Sequence, residues 1–302
     1  MSQNIIAMIY DFDLTLSPEY MQKPLFEGNK FKITEQEFWK LKEELVKKHE
    51  EKGKNAEKDT AYLHLLIELS KQGKPLEGLT EKVLQEAGKK IKYYPGIPEF
   101  FNNIKDEIEK NPKYIMYGIK IEHYIVSAGL KEILRGSILA NYVEQIDGCE
   151  FFYNEQGIPT GVARAVTNTQ KTETIFKINK GVFKNKDIDV NTFIPDNLRR
   201  IPFQNMIYFG DGPSDVPCMS LIKSKGGFTF AVYNPNSEKE NPAEKAYSLV
   251  RAGRANFCVQ ANYNKGSELY DLTKNVLIEI SDKIITAHKT NLEQESIKPP
   301  EH

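Results

Sequence analysis

The chain has 302 residues, a formal net charge of −1 and ordinary apolar and aromatic content. That length suits one large domain, or one domain carrying an insertion, around a packed core, and the near-zero charge gives no global field to draw nucleic acid. Cys149, Cys218 and Cys258 are scattered with no CxxC spacing, so a disulfide framework is not expected and a reducing, cytoplasmic setting is. No apolar run is long enough for a signal-peptide core or a membrane span, so no membrane partner is expected.

Ile5 to Tyr10 is a short, continuously apolar run ending at Asp11, which suits a strand buried on both faces of a parallel sheet. From Ser17 to Tyr94 the texture becomes helical. Thr34-Glu35-Gln36-Glu37 reads as a capping box, with Phe38, Leu41 and Leu45 on one stripe of the helix that follows. A second helix is expected over Asp59 to Lys71, broken by Gly73 and Pro75. A third begins near Thr80 and uses Val83, Leu84, Ala87 and Ile91. Pro95-Gly96 marks the return to alternating elements. These are a helix over Pro98 to Glu109, a strand through Tyr124-Ile125-Val126, a helix from about Leu130 and a hairpin-like pair, Gly148 to Tyr153 and Ile158 to Ala163. A helix over Thr172 to Phe183 follows, then strands at Met206 to Phe209, Phe228 to Tyr233 and Phe257 to Gln260, and a last helix from Glu268 to about Ile285. This alternation predicts an α/β fold with a doubly wound, mainly parallel sheet. Residues 17–94 form an inserted helical module between core segments 1–16 and 95–290, and 291–302 form a loose tail. The link from Asn185 to Arg200 has no assigned role.

Four segments carry candidate chemistry, each at a strand end or a helix start, where open α/β sheets bind ligands. Asp11-Phe12-Asp13-Leu14-Thr15 sets two carboxylates at the exit of a buried strand, where they are costly without a compensating cation or ligand. One can act as a nucleophile and the other as a proton donor and acceptor; the plainer alternative is a turn capped by Asp and Thr. Ser127, followed by Ala128-Gly129, offers a hydroxyl and free amides to an anion, or is a simple N-cap. Lys171 stands at a helix start, the wrong end of the dipole for a cation unless it is aimed at an anion. Asp211 and Asp215 in "GDGPSD" suit an oxygen-ligand magnesium site, or a Gly-Pro turn.

Two acids, then a hydroxyl, a lysine and two more acids form an order that resembles the haloacid dehalogenase superfamily, and within it the phosphoserine-phosphatase-like branch. The matching segments are "DFDLT", "IVSAG", "QKT" and "GDGPSD", together with the "EFFYNEQGIPTG" hairpin. The resemblance implies a Rossmann-like core with residues 17–94 as a helical cap of the first type. It implies Asp11 as nucleophile and Mg2+ ligand, and Asp13 as general acid/base with its backbone carbonyl on the metal. Thr15 would orient the loop. Ser127, with the Ala128 and Gly129 backbone, would bind the phosphoryl group, and Lys171 would neutralise charge beside Asp11. Asp211 would complete the metal ligands and Asp215 would support them.

The activity so implied is magnesium-dependent hydrolysis of a small phosphorylated metabolite. Transfer to another alcohol and a non-catalytic phosphate-binding module are the alternatives. Residues 17–94 contain no arginine, and Glu19 falls one place before the position where the branch holds its amino acid, which argues against phosphoserine. The charged faces of the cap helices make a monomer the default.

Overall fold

β1 (Ile5–Tyr10) has no polar face, and Ile6 to Tyr10 are fully buried. Such a strand must be covered on both sides, which a central parallel position provides. In the computed structural model, which describes residues 3–28, 30–237 and 241–297, β1 is the middle strand of a seven-stranded sheet. After β1 come α1 (Glu35–Glu50), α2 (Lys58–Ser70), α3 (Glu81–Gly88), α4 (Glu99–Glu109), α5 (Pro112–Ile115), β2 (Lys120–Leu130) and α6 (Lys131–Gly136). The hairpin β3 (Gln145–Tyr153) and β4 (Pro159–Arg164), α7 (Asn168–Lys180), β5 (Met206–Gly210), α8 (Val216–Ser224) and β6 (Phe228–Tyr233) follow. The described chain closes with α9 (Pro242–Arg251), β7 (Phe257–Gln260) and α10 (Glu268–Ile297). The strand order is β4-β3-β2-β1-β5-β6-β7. All neighbours are parallel except β3 and β4.

The order reverses at β1: the chain first builds outward through β2 and β3, then returns to add β5, β6 and β7 on the other side. The crevice at the carboxyl ends of β1, β2 and β5 is therefore the place for a ligand. Alternate residues of β1 serve two cores. Ile6, Met8 and Tyr10 pack with Phe100, Phe101 and Ile104 of α4 and Leu277 and Ile280 of α10. Ala7 and Ile9 pack with Ile175 and Ile178 of α7 and Met219 and Ile222 of α8. One aromatic row crosses four strands in register: Tyr10 to Phe209, Phe209 to Phe230 and Phe230 to Phe257, with centroids 5.0, 4.7 and 4.8 Å apart. The row fixes strand register one residue before Asp11.

The Thr34–Glu37 capping box forms as the sequence predicts. The apolar stripe of α1 differs, because Leu41 is exposed and Phe38 and Val46 carry the burial. β2 runs past Val126 to Leu130 through an irregular stretch, so α6 starts four residues after Ser127. α8 and α9 were not anticipated; each is short and opens on a Pro in its first turn. α10 continues to Ile297 rather than ending near Ile285, because no Gly or Pro interrupts it. Of the segment expected to be a loose tail, the backbone of 291–297 is therefore helical, and 298–302 lie outside the described residues. The link of residues 185–200 is tied to the opposite end of the sheet from the Asp11 crevice. Lys180 Nζ donates to the carbonyls of Val190 and Thr192, Gln3 to those of Asp196 and Arg199, and Arg200 pairs with Glu122. No described helix is long and apolar enough to cross a membrane.

α3 packs on α6 with the two backbones in close approach at Gly88 and Gly136. A Cβ on Gly88 would fall 1.9 Å from the Ile133 carbonyl oxygen, and one on Gly136 would fall 1.9 Å from that of Gln85. Both neighbours are backbone and cannot turn aside. Gly136→Ala is therefore expected to cost about 1–3 kcal/mol by overpacking, read as a lowered denaturant midpoint. An unchanged midpoint would mean the two helices can separate freely.

His123, on β2, is buried, its Nε2 3.1 Å from the Phe101 carbonyl and its Nδ1 3.0 Å from the Tyr10 hydroxyl. A carbonyl only accepts, so Nε2 carries the hydrogen and the neutral ring is satisfied at both ends. Burial, helped by the charge of Lys105, pushes its pKa down from 6.5 to about 3. Between those values the unfolded chain binds the proton and the folded chain does not, so stability falls as pH drops through that window. Wild-type unfolding free energy should fall more steeply with acid than that of His123→Gln, by up to about 1.4 kcal/mol per pH unit. Equal slopes in urea titrations from pH 6.5 to 4 would show that the folded ring already holds the proton.

Candidate active site

The ladder between β1 and β5 continues one residue beyond Tyr10, through Asp11 N–H donating to the Phe209 carbonyl at 2.9 Å. The chain then folds back sharply: the amides of Thr15, Leu16 and Ser17 all point at the Phe12 carbonyl. Leu14 is held at a φ of 61°, a left-handed conformation unusual for a branched side chain. The Tyr263 hydroxyl fixes the loop from behind by donating to the Thr15 carbonyl at 2.7 Å. Met21 N–H donates to Asp13 Oδ1 at 2.8 Å.

Lys171 lies in the first turn of α7, with its side chain 1% exposed. Its Nζ is 2.8 Å from Asp11 Oδ1 and 2.8 Å from Asp215 Oδ1. Asp215 is fully buried, and its Oδ1 also accepts from the Tyr208 hydroxyl at 2.8 Å while Oδ2 accepts from Gly212 N–H at 3.3 Å. Gly210 has no alternative here, because a Cβ would sit 2.6 Å from the Asp215 carboxyl. Burial pushes the Asp11 carboxyl up, as does the charge of Asp215, against the opposing pull of Lys171. Burial would push the Lys171 ammonium down, but the two carboxylates outweigh it and hold it up. Asp13 is pushed up to about 8, mainly by burial and then by the charge of Asp11.

Asp11, Asp13, Ser127, Ala128, Gly129, Lys171 and Asp211 all line one cavity of about 870 Å³. The structure thus brings together what the sequence scattered over about 200 positions. Ser127 is not at a helix start; it lies in the irregular end of β2, where its Oγ accepts from Gly129 N–H at 3.0 Å. A Cβ on Gly129 would fall 2.2 Å from the Met21 side chain, which would have to shift to admit it. Thr15 does not line the cavity: it is fully buried and its Oγ1 has no partner among the described residues. Glu19 does not line it either, and pairs instead with Lys23 at 2.6 Å and Lys92 at 3.4 Å. Asp11, Asp211 and Asp215 each offer an oxygen within 4.8 Å of the others, a hard-oxygen set that fits Mg2+. Since both oxygens of Asp215 already accept hydrogen bonds, it serves the set best from outside. Side chains not anticipated also line the cavity, among them Tyr20, Gln22, Trp39, Lys42, Asp59 and Tyr62. In the sequence they look like ordinary residues of charged amphipathic helices.

Comparison with known proteins places the chain beside an uncharacterized protein of Borreliella burgdorferi, 31% identical over 287 residues that cover 89% of this chain and 95% of that protein. No family model matches. Among solved structures, a phospho-aspartyl intermediate analogue of phosphoserine phosphatase superposes with a TM-score of 0.51 and 14% identity, over 90% of this chain and 99% of that one. A probable phosphoserine phosphatase from Vibrio cholerae, unliganded, gives 0.50 and 12%, over 92% of this chain and 66% of that one.

Removing the ammonium would leave Asp11 and Asp215 buried without a counter-charge. Lys171→Met is therefore expected to lower unfolding free energy by about 3–5 kcal/mol at pH 7. A loss below about 1 kcal/mol in chemical denaturation, the level of an exposed pair, would show that the ammonium is not what holds these carboxylates.

Proposed function

From a chain that belongs to one family with the Borreliella burgdorferi protein and has the haloacid dehalogenase superfamily fold in its phosphoserine-phosphatase-like form, we propose a phosphatase acting on a small phosphomonoester through an aspartyl-phosphate on Asp11. The observation that carries this reading is the Lys171 ammonium held 2.8 Å from Asp11 inside a cavity lined by Asp13 and Ser127. Phosphoryl transfer needs positioning and charge neutralisation more than elaborate covalent chemistry, and those are what these groups supply. One Asp11 oxygen attacks phosphorus in line with the departing ester oxygen. Lys171 offsets the charge gathered between that carboxylate and the phosphoryl oxygens, and the Ser127 hydroxyl orients them.

Asp13 gives its proton to the leaving alkoxide and afterwards takes one from the water that cleaves the aspartyl-phosphate. A carboxyl pushed up to about 8 is protonated at neutral pH, which suits the first of those roles. With Oδ1 already accepting from Met21 N–H, Oδ2 is the oxygen left to carry the proton. Asp11 and Asp211, with the Asp13 backbone carbonyl, would hold Mg2+, whose charge offsets the repulsion between the Asp11 carboxylate and an incoming phosphate dianion. Asp215 fixes Lys171 from behind. In this reading residues 17–94 serve as a cap, since α1 and α2 contribute Trp39, Lys42, Asp59 and Tyr62 to the cavity wall.

A screen of phosphate esters with and without a chelator tests the proposal. Turnover should depend on Mg2+ and fall on the order of a thousandfold or more in Asp11→Asn, and acid quench of the wild type should trap label from a 32P-ester on the protein. Turnover that survives Asp11→Asn would end the aspartyl-phosphate reading.

A further inference from the structure

The cavity wall contributed by the segment after β1 and by α1 and α2 differs in chemistry from the Asp11 side. Three aromatic rings follow one another along it: Tyr20 to Trp39 with centroids 6.0 Å apart, and Trp39 to Tyr62 at 6.1 Å. Gln22 and Tyr62, 4% and 5% exposed, are within hydrogen-bonding reach of each other, and Gln22 Oε1 and the Tyr62 hydroxyl have no other partner among the described residues. Buried polar atoms are normally paired, and an amide oxygen accepts two hydrogen bonds, so a single neighbour leaves Gln22 capacity for a ligand's N–H or O–H.

Charge points the same way. No arginine lines the cavity. Lys42, 13% exposed, is already paired with Glu43 at 2.7 Å and lies over the Trp39 ring. The exposed Lys58 lines the wall too, but with Glu43, Glu57 and Asp59 beside it, so a second anionic group on the substrate meets no arginine fork and a wall that is acidic on balance. At about 870 Å³ the space is near the upper end of the roughly 300–1,000 Å³ that encloses a drug-sized molecule. The ester of a three-carbon alcohol would leave much of it to water.

We infer, on the premise that the site is a phosphatase, that the alcohol side of its ester carries a flat nitrogen heterocycle, stacked against the Tyr20–Trp39–Tyr62 wall and donating a hydrogen bond to Gln22. Stacking accepts any ring with a π face, and the remaining acceptor capacity of Gln22 selects rings with an edge donor. A nucleoside 5′-monophosphate and a phosphorylated pyridine alcohol share this chemistry.

The test measures kcat/KM of the full chain with Mg2+ on adenosine and uridine 5′-monophosphates and pyridoxamine 5′-phosphate, against phosphoserine and glycerol 3-phosphate. Ring-bearing esters should be preferred by about tenfold or more, the scale of one stacked base, and the arms separate nucleotide from pyridine. Trp39→Leu and Gln22→Leu, checked for folding by circular dichroism, should each lower the ring to non-ring ratio, chiefly through KM. The wild-type comparison stands even if a variant does not fold. Glycerol 3-phosphate or phosphoserine turned over as well as every ring-bearing ester overturns this inference alone. No turnover of any ester overturns the phosphatase reading and this inference with it.

Discussion

One ammonium group between two carboxylates is the constraint on which the site depends. Lys171 has lost its water and is stable as a charge only because Asp11 and Asp215 are both in contact with it. The requirement is mutual, since both carboxylates are buried and the lysine is the cation in contact with each. It ties three remote segments to one point: the exit of β1, the first turn of α7 and the turn after β5. The Tyr208 hydroxyl and the Gly212 amide complete the cluster by satisfying what the lysine leaves open on Asp215. Asp13 stands outside this arrangement, with the Met21 backbone amide as its hydrogen-bond partner. Its different surroundings let two carboxyls in one short motif take different protonation states.

Placing three segments at one point demands that the strands carrying them do not slip. The aromatic row from Tyr10 to Phe257 supplies that demand, because a one-residue slip of β5 would break its stacking and move Asp211 and Asp215 relative to Asp11 together. The apolar interior and the charged site are thus coupled through register rather than through direct contact. His123 belongs to the same layer, stacked on Tyr10 and edge-on to Phe101, and its neutrality lets a polar ring occupy that position.

Much of this was legible in the sequence. β6 and β7 fall where short apolar runs put them, and β1 does too, because a strand covered on both faces has no polar residue to confuse its limits. The carboxylates and Ser127 were visible at strand ends and Lys171 at a helix start, and these are the positions that an open α/β sheet gathers at one crevice. The end of α10 was missed for want of a stop signal, and Leu41 was misassigned because a periodic pattern does not say which side of a helix meets a partner. The course of β2 through Ser127 depends on pairing with β3, which no local pattern records. The aromatic wall was illegible for a related reason. Trp39 and Tyr62 are spaced like core residues, and only the packing of α1 on α2 turns them toward a cavity.

The contact between Gly88 and Gly136 has a consequence for how a ligand enters. With backbone touching backbone, and with Glu81 N–H also bonded to the Gly157 carbonyl of the β3–β4 turn, α3 is a fixed post standing on the core. α2 adds a second tie, packing against β4, whereas α1 packs chiefly on α2. The insertion is thus anchored to the core through two of its helices, and the way in to the Asp11 cavity lies most readily on the side of the third.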